Sequence, residues 1–532
     1  MGIVQLSETI QTVSGAVERS LYRLKLLLSA ESGQFAAFLE ERPNFFLACF
    51  TTVYLIGTLL TAWKRPFWLD EIIAVFISGL PSTGDIWQAL LRTTDGNPPL
   101  YYLLCHPLLR AFGNSELAAR LPVVAGFWMA AVCIFSFVRR RTSVIPAAIA
   151  VLCFTGTGAY NWAIDARPYG VALGLSGVAL VCWQRCAEFP PRRALWLVAL
   201  AASLACLVST HYYSALLLVP LLCGEAVRIV VLKRFDWGIS AALATGTSAI
   251  LLWLPQLQGV RSNVAGNATT PGYFATPTVS ALFGTFEALF SPLLLAALLC
   301  AVIALFARRG AGEASGVAAQ PGIPAHDAMV AACLVLYPII CFLAAVFATK
   351  TFALRYVLTG AMGVAIAVGF LAYRFAGRRG ALGTAVLMLL YVNFTSQVLP
   401  FQLSGRPYAA QYSFLEDRTE ALPIVVTEGQ EFAPLWYYAS ATLRSHLYYI
   451  TDLPYARQMT DTTNEIIMEK LQPMAPQSIV GFDKFVKSHP TFLLYYVGGS
   501  ANSSLNELLL RKCAVTLESK LSRQLLFRCG CG

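Results

Sequence analysis

Long apolar runs separated by short polar connections dominate the chain. Runs of roughly 17 to 25 residues, the length that crosses a hydrocarbon core as a helix, fall at Phe45 to Trp63, Leu117 to Val138, Val144 to Tyr160, Tyr169 to Cys186, Ala194 to Thr210, Tyr213 to Leu232, Gly238 to Leu254, Leu282 to Ala307, Met329 to Phe347, Val357 to Tyr373 and Ala381 to Leu399. The pattern predicts a polytopic α-helical membrane protein with about eleven transmembrane helices. An odd number places the two termini on opposite sides.

Before the first run, Val13, Val17, Leu21, Leu24 and Leu28 recur at helical spacing beside Arg19, Arg23 and Lys25. Residues 1–43 therefore read as a cytoplasmic, amphipathic N-terminus without a signal-peptide core or cleavage site. Residues 44–400 read as the transmembrane domain, with a long first outer loop over 64–116. That loop is not hydrophilic: Glu71 to Leu80 and Asp85 to Leu91 read as short helices with apolar faces, and Pro98 to Phe112 as a juxtamembrane segment too short to span. After Leu399 charged residues return. Apolar runs such as Pro423 to Thr427, His446 to Ile450, Thr491 to Val497 and Leu525 to Phe527 alternate there with helical stretches over 432–443 and 464–471. Residues 401–532 are expected to form an extracytoplasmic α/β domain in which Cys513 pairs with Cys529 or Cys531.

Arg139-Arg140-Arg141, Arg192-Arg193, Lys233-Arg234, Arg308-Arg309 and Arg378-Arg379 lie in alternate connections, all on the side of the N-terminus. The positive-inside rule makes that side cytoplasmic. The opposite connections carry Asp70-Glu71, Asp95-Gly96-Asn97-Pro98-Pro99, Asp165-Ala166-Arg167-Pro168-Tyr169, His211-Tyr212-Tyr213 and Lys350 through Tyr356. The candidate chemistry thus converges on the outer face.

Composition agrees. With 57% hydrophobic and 13% charged residues in 532, and a mean hydropathy of +0.61, the chain is not a soluble globule. The net charge of +10 comes without a basic run interleaved with aromatics, so it reports topology and no nucleic-acid partner is expected. The 14 cysteines include no Cys-x-x-Cys pair, and most behave as small hydrophobes.

Asp70-Glu71, Asn97 to Tyr102, Ser115 to Pro122, Ala166-Arg167-Pro168-Tyr169, Thr210-His211-Tyr212 and Leu354-Arg355-Tyr356, in this order and on one side, resemble the GT-C glycosyltransferases. The branch most similar is the dolichyl-phosphate-mannose protein mannosyltransferase and aminoarabinose transferase group. The resemblance implies a GT-C-like fold and a polyprenyl-phosphate sugar donor. It also implies transfer outside the cytosol to a glycan, lipid or protein acceptor, with an acidic residue of the first outer loop as base. Asp70 is the expected base and Glu71 the next candidate; the competing reading is that Asp70 caps the helix beginning at Glu71.

Arg167, Lys350 and Arg355 are the expected donor-phosphate ligands, because a cation at the end of a span is costly unless an anion meets it. Their competing role is snorkelling to membrane lipids. Asp95, Asn97, Asp165, Tyr169, His211 and Tyr356 are expected to orient the acceptor or support the site. A divalent metal on Asp70, Glu71 and Asp95 is left open, since ligands clustered within one element are absent. Where the protein mannosyltransferases carry His and the aminoarabinose enzymes Lys, this chain has Asn97, so neither acceptor class is favoured. The expected reaction is inverting sugar transfer at a bacterial inner membrane, with the site facing the periplasm. The alternative is a transporter or lipid flippase, which would place polar groups at mid-membrane on broken helices and show paired repeats; neither is seen in the sequence.

Overall fold

The computed structural model describes residues 34, 35, 37–291, 322–375, 384, 387, 388, 390–392, 409–416, 422–459, 462–497 and 503–531. The predicted amphipathic N-terminal helix, most of the last predicted span, the predicted span beyond Ser291, and the pairs Arg308-Arg309 and Arg378-Arg379 lie outside the described residues.

The membrane part is helical. Pro43–Lys64, Glu116–Arg139, Tyr169–Ala187, Tyr212–Leu232 and Trp237–Asn267 are each long and apolar enough to cross a membrane. Two predicted single spans are instead bent pairs: Val144–Thr155 with Gly158–Ile164 by 74°, and Ala325–Val335 with Tyr337–Thr349 by 57°. The first bend follows from packing, because a Cβ on Gly158 would lie 2.2 Å from the Ala288 carbonyl oxygen, an approach only glycine permits. The second coincides with Pro338, which cannot donate to the helical ladder. Counting each bent pair as one span gives up to seven such elements among the described residues, beside the shorter apolar helices Arg193–Val208, Val279–Ser291 and Thr359–Arg374.

Small residues let the central helices meet closely. A Cβ on Gly126 would lie 2.5 Å from the Gly170 carbonyl oxygen, and one on Gly174 would lie 2.5 Å from that of Gly126. Glu116–Arg139 and Tyr169–Ala187 consequently run in contact, which brings Arg120 and the segment just before Tyr169 to the same end of the bundle. At the other end of these two helices Arg140 and Arg141 pair with Glu188, and Arg193 pairs with Asp236.

The first connection folds into the short helices Leu69–Ser78, Thr83–Leu91 and Leu100–Phe112. The C-terminal region forms a six-stranded sheet of β1 (Ile424–Val426), β2 (Leu447–Thr451), β3 (Ile479–Gly481), β4 (Thr491–Val497), β5 (Ala514–Leu521) and β6 (Gln524–Gly530), in the order β3-β2-β1-β4-β6-β5. The first four strands are parallel, while β6 is antiparallel to β4 and β5 to β6. Cys513 is bonded to Cys531, and Cys529 is a buried free thiol.

One face of this sheet, with Val426, Leu493 and Tyr495, shares a core with Phe67, Ile72, Ile73, Ile86 and Tyr101 of the first connection. Removing so much apolar surface from water fixes the C-terminal region against the loop that carries Asp70.

Candidate active site

The helix Leu69–Ser78 divides two adjacent carboxylates between two tasks. It begins after the extended residue Trp68, so Asp70 lies in its first turn and is not its N-cap, contrary to the competing reading of the sequence. Glu71 supplies the cap: its Oε2 accepts from the Trp68 N–H at 3.3 Å. The same carboxylate accepts from Arg120 Nε at 2.8 Å and Nη2 at 2.7 Å, and from the Ala166 N–H at 2.7 Å. Arg120 spends its other donors on the carbonyls of Ala62, Arg65 and Pro66.

Both side chains are fully buried. Such a pair survives burial because every donor and acceptor is met. Glu71, the second candidate base, is therefore closed within the protein and has no oxygen left to offer a substrate.

Asp70 faces the other way. Its side chain keeps 16% of its exposure, with Oδ2 3.5 Å from Arg355 Nη1 and 3.9 Å from Arg167 Nη2. Arg167 Nη1 donates to the Asp70 carbonyl oxygen at 3.0 Å and pairs with Asp95 Oδ2, while Nη2 reaches Asp95 Oδ1 at 3.2 Å. Burial alone would raise the Asp95 carboxyl, but the Arg167 guanidinium outweighs it and holds it below its ordinary value.

The loop is braced further. Asn97 Nδ2 donates to Asp95 Oδ1 at 2.9 Å, Gln256 Nε2 to the Asn97 carbonyl at 2.7 Å, and the Tyr212 hydroxyl to Gln256 Oε1 at 2.9 Å. Asp165 Oδ1 accepts from Arg65 Nη2 and from the Trp68 indole, each at 2.9 Å. Burial, reinforced by the charge of Glu71 and opposed by Arg65, pushes the Asp165 carboxyl up to about 6.

Arg355 closes the cluster from the far part of the chain. Its guanidinium lies 5.4 Å from the centre of the Phe274 ring and 5.7 Å from that of Tyr356, and its buried Nε has no hydrogen-bond partner among the described residues. Burial opposes its charge, but Tyr169, Tyr356 and Asp70 beside it prevail and hold it above the ordinary arginine value. His211 sits between the rings of Tyr169 at 5.4 Å and Tyr356 at 5.5 Å. Burial, with Arg355 and Arg167 adding to it, lowers its imidazole to about 3, so the ring is neutral.

The structure thus brings Asp70, Asp95, Arg167, Tyr169, His211, Arg355 and Tyr356 together, with Asn97 joined through Asp95 and Asp165 through Trp68. It does not bring in Lys350, whose exposed ammonium folds back onto the Val346 carbonyl at 2.6 Å. Asp70, Glu71 and Asp95 do not form a metal-ligand set, because Arg120 and Ala166 take the oxygens of Glu71 and Arg167 takes those of Asp95. Among the described residues no group of three or more His, Cys, Asp and Glu side chains has the geometry to hold a metal ion. The sequence reading assigned no role to Arg120, Arg65 or Gln256. Arg120 carried a signal, an arginine within an apolar helix.

No family model matches the sequence, and no curated protein sequence is significantly similar to it. Solved structures are similar in fold. ArnT from Cupriavidus metallidurans bound to undecaprenyl phosphate superposes with a TM-score of 0.52 at 16% identity, covering 90% of this chain and 97% of that one. The apo state of ArnT gives 0.45 at 14% identity, covering 91% and 97%, and the Archaeoglobus fulgidus oligosaccharyltransferase 0.40 at 12%, covering 83% and 64%. The chain has a GT-C-like fold, that of a polytopic helical membrane protein with a small C-terminal sheet.

Proposed function

We propose that the chain is an inverting glycosyltransferase that moves a sugar from a polyprenyl-phosphate donor to the hydroxyl of a glycan, lipid or protein acceptor. The observation that carries this reading is the half-open pair of Asp70 and Arg355, a carboxylate and a guanidinium 3.5 Å apart at one end of an apolar bundle. The likeness in fold to ArnT, itself bound to undecaprenyl phosphate, supports a lipid-phosphate donor.

In this mechanism Asp70 takes the proton of the acceptor hydroxyl as its oxygen bonds to the anomeric carbon. The bond from that carbon to the phosphate oxygen breaks, and its electron pair leaves with the polyprenyl phosphate. One base and one leaving group on opposite sides of the carbon give inversion, by analogy with inverting glycosidases. Arg355 meets the charge that develops on the phosphate, where a low-dielectric, preorganised cation is most effective. Arg167, already held by Asp95, fixes the Asp70 backbone and adds a second positive charge. Lys350 has no part in this arrangement.

By the positive-inside distribution of arginines, the site and the C-terminal sheet face the extracytoplasmic side, the periplasm for a bacterial inner membrane. The gathering of charge at one end of the bundle weighs against a transporter or flippase, whose polar groups belong at mid-membrane. The test is transfer of radiolabelled sugar from a polyprenyl-phosphate sugar by the purified protein, with the anomeric configuration of the product read by NMR. The proposal expects an inverted product; transport or flipping with no new glycosidic bond contradicts it.

A further inference from the structure

Thr93 adopts a left-handed backbone conformation, φ +56°, just past the end of the helix Thr83–Leu91. Glycine or asparagine ordinarily fills such a position, and for a β-branched residue the conformation is a true outlier. Strain of this kind persists only where neighbours impose it.

The neighbours that impose it are Lys470, Asn263 and Gly259. Lys470, in the last turn of the C-terminal helix Thr463–Leu471, donates to the Thr93 carbonyl at 3.0 Å and to Thr93 Oγ1 at 2.6 Å. Asn263 Nδ2 donates to the same Oγ1 at 2.5 Å, and that hydroxyl in turn donates to the Arg92 carbonyl at 2.7 Å. Gly259 completes the seat, since a Cβ there would lie 2.8 Å from Thr93 Cγ2. The Lys470 helix is tied at its other end as well, where Thr462 Oγ1 donates to Asn267 Oδ1 at 3.0 Å. Gln256, Gly259, Asn263 and Asn267 share one face of the helix Leu254–Asn267. Two residues past Thr93 the same loop presents Asp95, which orients Arg167 against Asp70.

We infer that Lys470 is a positioning residue: from the C-terminal domain it holds Thr93 in its strained conformation and so sets the Asp95–Arg167 pair that orients Asp70. The consequence for catalysis rests on the glycosyltransferase reading above, whereas the brace itself does not.

The test uses the full-length protein in detergent. Lys470→Met keeps the apolar stem and removes the donors. Hydrogen exchange should quicken at the amides of Thr93 and Thr94, which donate to Leu90 and Ala89, and turnover should fall about ten- to a hundredfold with little change in KM for the donor. Thr93→Gly added to that variant should restore turnover per folded protein, because glycine takes the left-handed conformation without a brace; a loss caused merely by weaker folding disappears on that normalisation. Unchanged exchange in Lys470→Met, unchanged turnover, or failure of Thr93→Gly to restore it would overturn the inference. If the wild type transfers no sugar, the proposed function fails while the exchange measurement still decides the brace: quickened exchange supports it and unchanged exchange overturns it.

Discussion

Asp70 Oδ2 and Arg355 Nη1 lie 3.5 Å apart, joining the first connection of the chain to one of its last. The separation is longer than a charge-assisted hydrogen bond, so the pair attracts without being closed. Arg355→Lys keeps the charge and a long stem but loses the planar fork. If the guanidinium grips the leaving phosphate, this variant transfers sugar well below the wild-type rate at normal yield of folded protein, and Arg355→Ala transfers less still. Transfer per milligram of purified protein checks the order; a fully active Lys variant removes Arg355 from the site.

Arg120 and Glu71 make a different prediction, about stability. Arg120→Met leaves a buried carboxylate without its partner, which costs about 3–5 kcal/mol. The thermal midpoint of the purified protein should drop sharply, and replacing Glu71 by Leu in the same chain should recover part of the loss. A single variant as stable as the wild type would show that the pair does not hold the loop.

Asp165 carries a pH signature. Its carboxyl is raised to about 6 in the folded protein, whereas an unfolded chain gives up that proton near pH 4. Between these values the unfolded state holds fewer protons, so the contribution of Asp165 to stability falls as pH rises from about 4 to about 6. Asp165→Asn keeps an acceptor for Arg65 and Trp68 and removes the titration. Thermal midpoints measured across this window should decline with rising pH more in the wild type than in the variant; parallel curves would contradict the assignment.

Much of the site was legible because charge at the end of an apolar span is expensive and therefore conspicuous. Asp70, Arg167 and Arg355 stood out for that reason, and the structure gathers them. Lys350 stood out by its charge alone, outside the motifs that carry the resemblance, and stays apart, since a cation at a helix end looks the same whether it meets a ligand or its own carbonyls. Arg120 was visible as a type, but its partner Glu71 lies 49 residues away, a distance that no local pattern reports. Gln256 gave no signal at all.

In the fold, β1, β2, β4 and β6 followed from apolar runs. β3 has three residues, and β5, with Thr516, Glu518 and Lys520, is too polar to announce itself. Neither helix bend was expected from the sequence: Pro338 lies inside a run read as one span, and the bend near Gly158 depends on Ala288, which only tertiary packing brings close.

Sidedness is open to a direct probe. Ser82 is exposed in the first connection, at the end of the bundle that carries the site. A cysteine introduced there should react with an impermeant thiol reagent added outside the cell, and one at Arg140 should not. The reverse pattern would invert the bundle and place the site in the cytosol.

The central claim is that Asp70 is the base, and Asp70→Asn tests it most directly. The substitution preserves size and removes the proton acceptor while leaving Glu71, Arg120 and the helix start in place. Transfer from a radiolabelled polyprenyl-phosphate sugar, normalised to folded protein, should fall by roughly 10² to 10⁴ with donor binding little changed. Near-normal transfer by the Asn variant would contradict the account.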